Sequence, residues 1–127
     1  MISMKIMPSD NSLLILFGSR AAGRARPDSD WDVAVVADHK LSLEEYGVYI
    51  QEAARILDAN EDKIDIADIW SASPLMQQFV AKDGKLLRGD PFLFTRFKVL
   101  EWKRYLDTAK FRRLRHEALQ RYVQRTH

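Results

Sequence analysis

Short unbroken apolar runs alternate along the chain with longer stretches of helical spacing. Leu13–Phe17, reading LLILF, is too short for a helix and stops at Gly18, which predicts a strand buried on both faces. Residues 33–36, VAVV, are β-branched and apolar and predict a second buried strand. Ser42 and Glu45 then form a capping-box pattern. Leu43, Tyr46, Ile50, Ala54 and Leu57 follow at helical spacing, so a helix is expected to about Leu57. Residues 63–70, KIDIADIW, predict a third strand. Ser73-Pro74 opens a short helix through about Ala81, and Asp83-Gly84 turns the chain into a short strand over 85–87.

From Phe92 onward neither proline nor glycine interrupts the chain, and a long helix is expected over about 92–124. Its apolar stripe changes sides. Val99, Trp102, Leu106 and Ala109 lie on one face, while Phe111, Leu114, Ala118 and Tyr122 lie nearly opposite. Either two surfaces are to be covered, or a kink near Lys110 lets one core take both. The order of elements predicts an α/β (α+β) domain, a small mixed β-sheet flanked by helices, with a long C-terminal helix.

The length of 127 residues fits one domain over 1–127. The absence of cysteine excludes disulfides and thiolate metal sites and fits a cytoplasmic setting. No apolar run nears the ~20 residues of a membrane span, and MISMKIMPSDN is too short and polar for a signal peptide. The net charge of +2 is unevenly spread: residues 1–95 hold 10 basic and 15 acidic side chains, residues 96–127 hold 10 and 3. A basic tail on an acidic body suits an acidic partner or a nucleic acid, or is simply a solvated helix face.

The chemistry concentrates in LFGSRAAGRARPDSDWDVAVV, residues 16–36. Ten residues separate Ser19 from Asp30, and Asp30 and Asp32 flank a single tryptophan. Residues i and i+2 of a strand share a side, with Cα atoms ~6.6 Å apart, so two carboxylates face one point. Such oxygen ligands suit Mg²⁺, and two carboxylates can bridge a pair of ions in phosphoryl-type transfer. Gly18 lets backbone approach a triphosphate, Ser19 offers amide and hydroxyl donors, and Arg20 and Arg24 offer cationic donors. A third carboxylate is expected from the later strand. Asp65 is preferred, and Asp68, of opposite parity, is the competitor.

This text resembles the minimal nucleotidyltransferase family, within the superfamily that includes DNA polymerase β. The run Ala25-Arg26-Pro27-Asp28-Ser29-Asp30 carries the closest match. The sequence departs from the family text at Ala22, where arginine is common, at Val33, usually leucine, and ahead of the first strand, where little helix can form. The resemblance implies a polymerase β-like fold. It further implies transfer of AMP from ATP, with two Mg²⁺ ions, to a tyrosine of a HEPN-type ribonuclease toxin, which silences it. On that implication Asp30, Asp32 and Asp65 are the metal-binding catalytic carboxylates, and Gly18, Ser19 and Arg20 hold the nucleotide. The long basic helix would help dock the toxin. Two rival readings are a non-catalytic antitoxin that acts by binding alone, and nucleotidyl transfer to an RNA end or small molecule. RNA binding would draw on Arg112, Arg113 and Arg115.

Among the remaining residues, Trp31 points away from the carboxylates and reads as core rather than as a base-stacking platform. Trp70 and Trp102 read as packing residues. His39, His116 and His127 lack metal-ligand spacing and are expected at the surface. Asp90–Phe94 reads equally as a docking patch or as a hydrophobic helix entry.

Overall fold

The computed structural model describes residues 11–125. Four strands, β1 (Leu13–Phe17), β2 (Trp31–Val36), β3 (Ile64–Asp68) and β4 (Lys85–Arg88), form one sheet in the order β3-β2-β1-β4. β1 runs antiparallel to both β2 and β4, whereas β2 and β3 are parallel. A parallel pair needs a crossover, and α2 (Leu43–Leu57) supplies it. The other helices are the single turn α1 (Gly18–Ala21), α3 (Pro74–Asp83), α4 (Pro91–Asp107) and α5 (Ala109–Arg125). The expected scarcity of helix before β1 and the expected position of His127 lie outside the described residues.

Because side chains alternate across a strand, the sheet sorts its residues into two cores. Leu14, Leu16, Val33, Val35 and Ile64 meet Tyr49 and Ala53 of α2. On the opposite face Leu13, Ile15, Phe17 and Ala34 meet Val80 and Ala81 of α3 and Phe97 of α4. All five residues of β1 are buried, which is why its sequence is continuously apolar. The α2 capping box forms as read: Ser42 Oγ accepts from Glu45 N–H, and Ser42 N–H donates to Glu45 Oε1.

Three expectations are corrected. β3 ends at Asp68 instead of reaching Trp70, because the Asp68 carboxylate accepts the Trp70 amide and starts a short 3-10 turn over Ile69–Ser71. Trp70 and Trp102 are 60% and 59% exposed and do not serve as core. The Val99–Trp102–Leu106 stripe is also exposed, since α4 packs through Phe97, with Leu93 and Phe94 beside it, and Arg104 Nη1 donates to Gln77 Oε1 of α3.

The C-terminal helical stretch is divided at Thr108. Its hydroxyl donates to the carbonyls of Arg104 and Tyr105, both at 3.1 Å, and so competes with the backbone ladder at the last turn of α4. Arg112 spans the break, stacked on Tyr105 and bonded to Thr108 Oγ1 and Tyr105 O. No residue of α5 is buried.

One polar link ties the far edge of the sheet to α2. Arg88 of β4 forms an ion pair with Glu52, and its other donors reach Ser12 O and Ser12 Oγ at 2.8 and 3.1 Å. Glu52 is buried, so Arg88→Met strands a carboxylate in an apolar setting. Chemical denaturation should show a loss of about 3 kcal/mol, and adding Glu52→Leu should recover most of it.

A second link lies at the exposed mouth of α2, where His39 contacts Asp38 Oδ1 and Glu45 Oε2, each at 2.7 Å. The bonds to Asp38 and then Glu45 raise the His39 pKa, and the bond from His39 lowers that of Asp38. For Glu45, partial burial pushes upward, but bonds from Ser42 and His39 leave it lowered. A raised histidine contributes stability that is complete below its unfolded pKa of about 6.5 and is lost as pH rises through the folded value. The lowered carboxylates act oppositely, losing their contribution as pH falls through their folded values. NMR titration should place His39 above its ordinary value, and His39→Asn should flatten the fall in stability as pH rises above about 6.5.

Candidate active site

The strand register brings the candidate residues together. Phe17 at the end of β1 lies opposite Asp32 of β2, and Asp32 lies beside Asp65 of β3 in the parallel ladder. Asp32 shares its face with Ala34, and Asp65 shares that face with Ala67, so both carboxylates lie on the side covered farther along by α3 and α4. Asp30 precedes β2 by one residue and is exposed, as is Asp65, whereas Asp32 is half-buried.

Gly18 is shaped to its neighbour. Its φ of +78° is one that side chains rarely adopt, and a Cβ there would collide with the Asp32 carboxylate oxygen. Ser19 follows on α1, partly buried, and its carbonyl accepts from Arg24 N–H at 2.9 Å. Gly18 and Asp32 thus meet at the end of β1, with Ser19 the next residue along the chain.

Electrostatically the site is unbalanced. Burial raises the Asp32 pKa first, and the charges of Asp65 and then Asp30 raise it further. Three carboxylates near enough to repel one another are a donor set for a hard divalent cation such as Mg²⁺. Among the described residues no group of three or more acidic or imidazole side chains is placed to hold a metal ion as it stands. The fit therefore rests on the charge and oxygen chemistry of the set, with the cation offsetting its repulsion.

The two aspartates of β3 have different work. Asp68 is buried on the α2 side, where its carboxylate accepts from the amides of Leu41 and Trp70 at 3.0 Å and lies 3.5 Å from Ser71 Oγ. It is a structural brace and does not face Asp32. Arg20 also stands apart from its expected place. Its guanidinium donates to the carbonyls of Pro27 and Ser29 and stacks 4.2 Å over the Trp31 ring. This pairing escaped the sequence reading because an arginine among glycines beside a carboxylate pair offers its charge first and its planar shape second.

Two measurements follow from this geometry. Asp32→Asn removes the half-buried, repelled charge and should raise the melting temperature without metal, and added Mg²⁺ should raise that of the unsubstituted protein but not of this variant. Gly18→Ala should cost at least ~1 kcal/mol in denaturant unfolding, from the positive φ and the displaced Asp32 together.

Comparison with known proteins agrees with this architecture. The family model described as polymerase beta nucleotidyltransferase matches residues 7–90. A protein adenylyltransferase MntA from Aphanizomenon flos-aquae is 34% identical over 125 residues, covering 89% of this chain and 81% of the relative. One solved structure, described as a toxin–antitoxin with AMP-PNP, superposes with a TM-score of 0.68 at 27% identity, covering 93% of this chain and 95% of that one. Another, a tri-AMPylated Shewanella oneidensis HEPN toxin in complex with MNT antitoxin, gives 0.62 at 25% identity, covering 94% and 93%. With that match over residues 7–90, Gly18 set against Asp32 and Asp32 beside Asp65, this chain belongs to the polymerase beta nucleotidyltransferase family.

Proposed function

We propose that this protein is an antitoxin that transfers AMP from ATP to a tyrosine of a HEPN-type toxin and thereby inactivates it. The observation that carries the reading is the register of Asp32 beside Asp65, with Gly18 making room for the first carboxylate. The likeness to a toxin–antitoxin with AMP-PNP and to an MNT antitoxin bound to an AMPylated HEPN toxin supports the nucleotide and the acceptor. A reaction that consumes ATP belongs in the cytoplasm.

In this mechanism the triphosphate lies against Gly18 and Ser19, whose amides and hydroxyl are its nearest donors. Asp30, Asp32 and Asp65 would hold Mg²⁺, which when bound neutralises charge on the phosphates and favours ionisation of the acceptor hydroxyl. The tyrosine oxygen attacks the α-phosphorus, a new O–P bond forms, and the bond to the bridging oxygen breaks to release pyrophosphate. The exposed Asp65 carboxylate, on the edge strand of the sheet, accepts the hydroxyl proton. Asp30 and Asp65 are exposed, so a protein acceptor can present its side chain to them directly. Docking draws on α5, whose exposed Phe111, Leu114 and Tyr122 lie among basic residues.

The test incubates the protein with labelled ATP, Mg²⁺ and the HEPN protein encoded beside it. Label should appear on a toxin tyrosine with release of pyrophosphate, and Asp30→Asn with Asp32→Asn should cut transfer on the order of 10³-fold. Inhibition that persists with no label on the toxin would establish neutralisation by binding alone. Label on an RNA end would move the acceptor to nucleic acid.

A further inference from the structure

We propose that Arg20 is a positioning residue, clamping the peptide and the ring that flank Asp30 so that Asp30 and Asp32 are held toward Asp65. This rests on the nucleotidyltransferase reading of the same site. Arg20 Nη2 donates to Ser29 O at 2.8 Å and to Pro27 O at 3.1 Å. The Ser29 carbonyl belongs to the peptide bond that leads into Asp30, so this bond fixes the plane from which Asp30 departs. The guanidinium face lies 4.2 Å over Trp31, the residue between the two aspartates. Arg20 therefore grips Asp30 through both chain neighbours without an ion pair to either carboxylate.

The loop has reason to be held. Gly23 takes a φ of +72° with open space around its Cα, and the loop bonds to itself only between Arg26 and Ser29. Repulsion among Asp30, Asp32 and Asp65 would splay its end. Trp31 is seated on the α2 core, so stacking on it anchors the clamp to the packed side of the sheet. The geometry needs a planar group that donates at its edge while stacking with its face, which guanidinium provides and ammonium does not. The Nε of Arg20 is buried, so the root of the guanidinium is seated in protein.

This assignment separates from a phosphate contact by experiment. Arg20→Lys and Arg20→Met should lower kcat alike, on the order of 100-fold, as a small displacement of reacting groups does. Both should raise the Mg²⁺ concentration for half-maximal rate and leave KM for ATP within about threefold. Trp31→Phe keeps a ring and should stay near the unsubstituted protein, whereas Trp31→Ala should reproduce the arginine variants. Two readouts do not depend on transfer. Trypsin should cut after Arg24 faster in Arg20→Lys than in the unsubstituted protein, Arg26 being protected in both by the proline that follows it. Trp31 fluorescence, isolated by Trp70→Phe and Trp102→Phe, should change when Arg20 is replaced. If lysine restores the rate that methionine loses, and ATP KM is the parameter that moves, Arg20 contacts phosphate and the proposal is overturned. Equal trypsin rates and unchanged fluorescence overturn it as well, even if no acceptor is ever labelled.

Discussion

Three carboxylates on one face of a small sheet repel one another, and much of the surrounding architecture serves to hold them there. The parallel pairing of β2 with β3 sets Asp32 beside Asp65, and that pairing exists because α2 carries the chain across between them. Antiparallel pairing of β1 with β2 then brings Gly18 up against Asp32, where only a residue without Cβ fits. Burial and both neighbouring charges push the Asp32 pKa up, so the cluster is costly in isolation. Two apolar cores, one on each face of the sheet, keep the strands from separating to relieve it.

Asp65 and Asp68 show how strand parity divides one residue type between two tasks. Three positions apart in one strand, they project to opposite faces. Asp68 enters the α2 side, where backbone amides of Leu41 and Trp70 satisfy its charge, and it fastens the loop before α2 to the end of β3. Asp65 keeps its exposure and its proximity to Asp32. A buried carboxylate with amide donors is stabilising, and an exposed one among like charges is available for a cation or a proton.

Much of this was legible in the chain because local rules acted without competition. LLILF and VAVV, the capping box at Ser42, and proline after Ser73 each specify an element through nearest neighbours, and each appears where read. The motif that spaces Gly18 from Asp32 also pointed to two strand ends that meet, as Gly18 and Asp32 do. What stayed hidden depended on partners distant in sequence. Arg20 meets carbonyls seven and nine residues away and a tryptophan beyond them, and Arg88 meets Ser12 across 76 residues. The division at Thr108 carries no glycine or proline, because a threonine hydroxyl turned back onto two carbonyls accomplishes it. Trp102 was misread because helical spacing identifies a stripe but not the neighbour that will cover it.

The same distinction bears on the basic end of the chain. α5 buries no side chain, so its order of residues is not dictated by either core. Six of its seventeen residues are lysine or arginine and one is acidic, while Phe111, Leu114 and Tyr122 remain in water. Exposed apolar side chains set among basic ones make a surface suited to a partner. Under the proposed reading that partner is the toxin. The acidic body then carries the chemistry and the basic arm the docking, two charges of opposite sign kept on separate elements. Such a separation lets an acidic partner surface be attracted to the arm while the carboxylate cluster keeps its negative field for a cation.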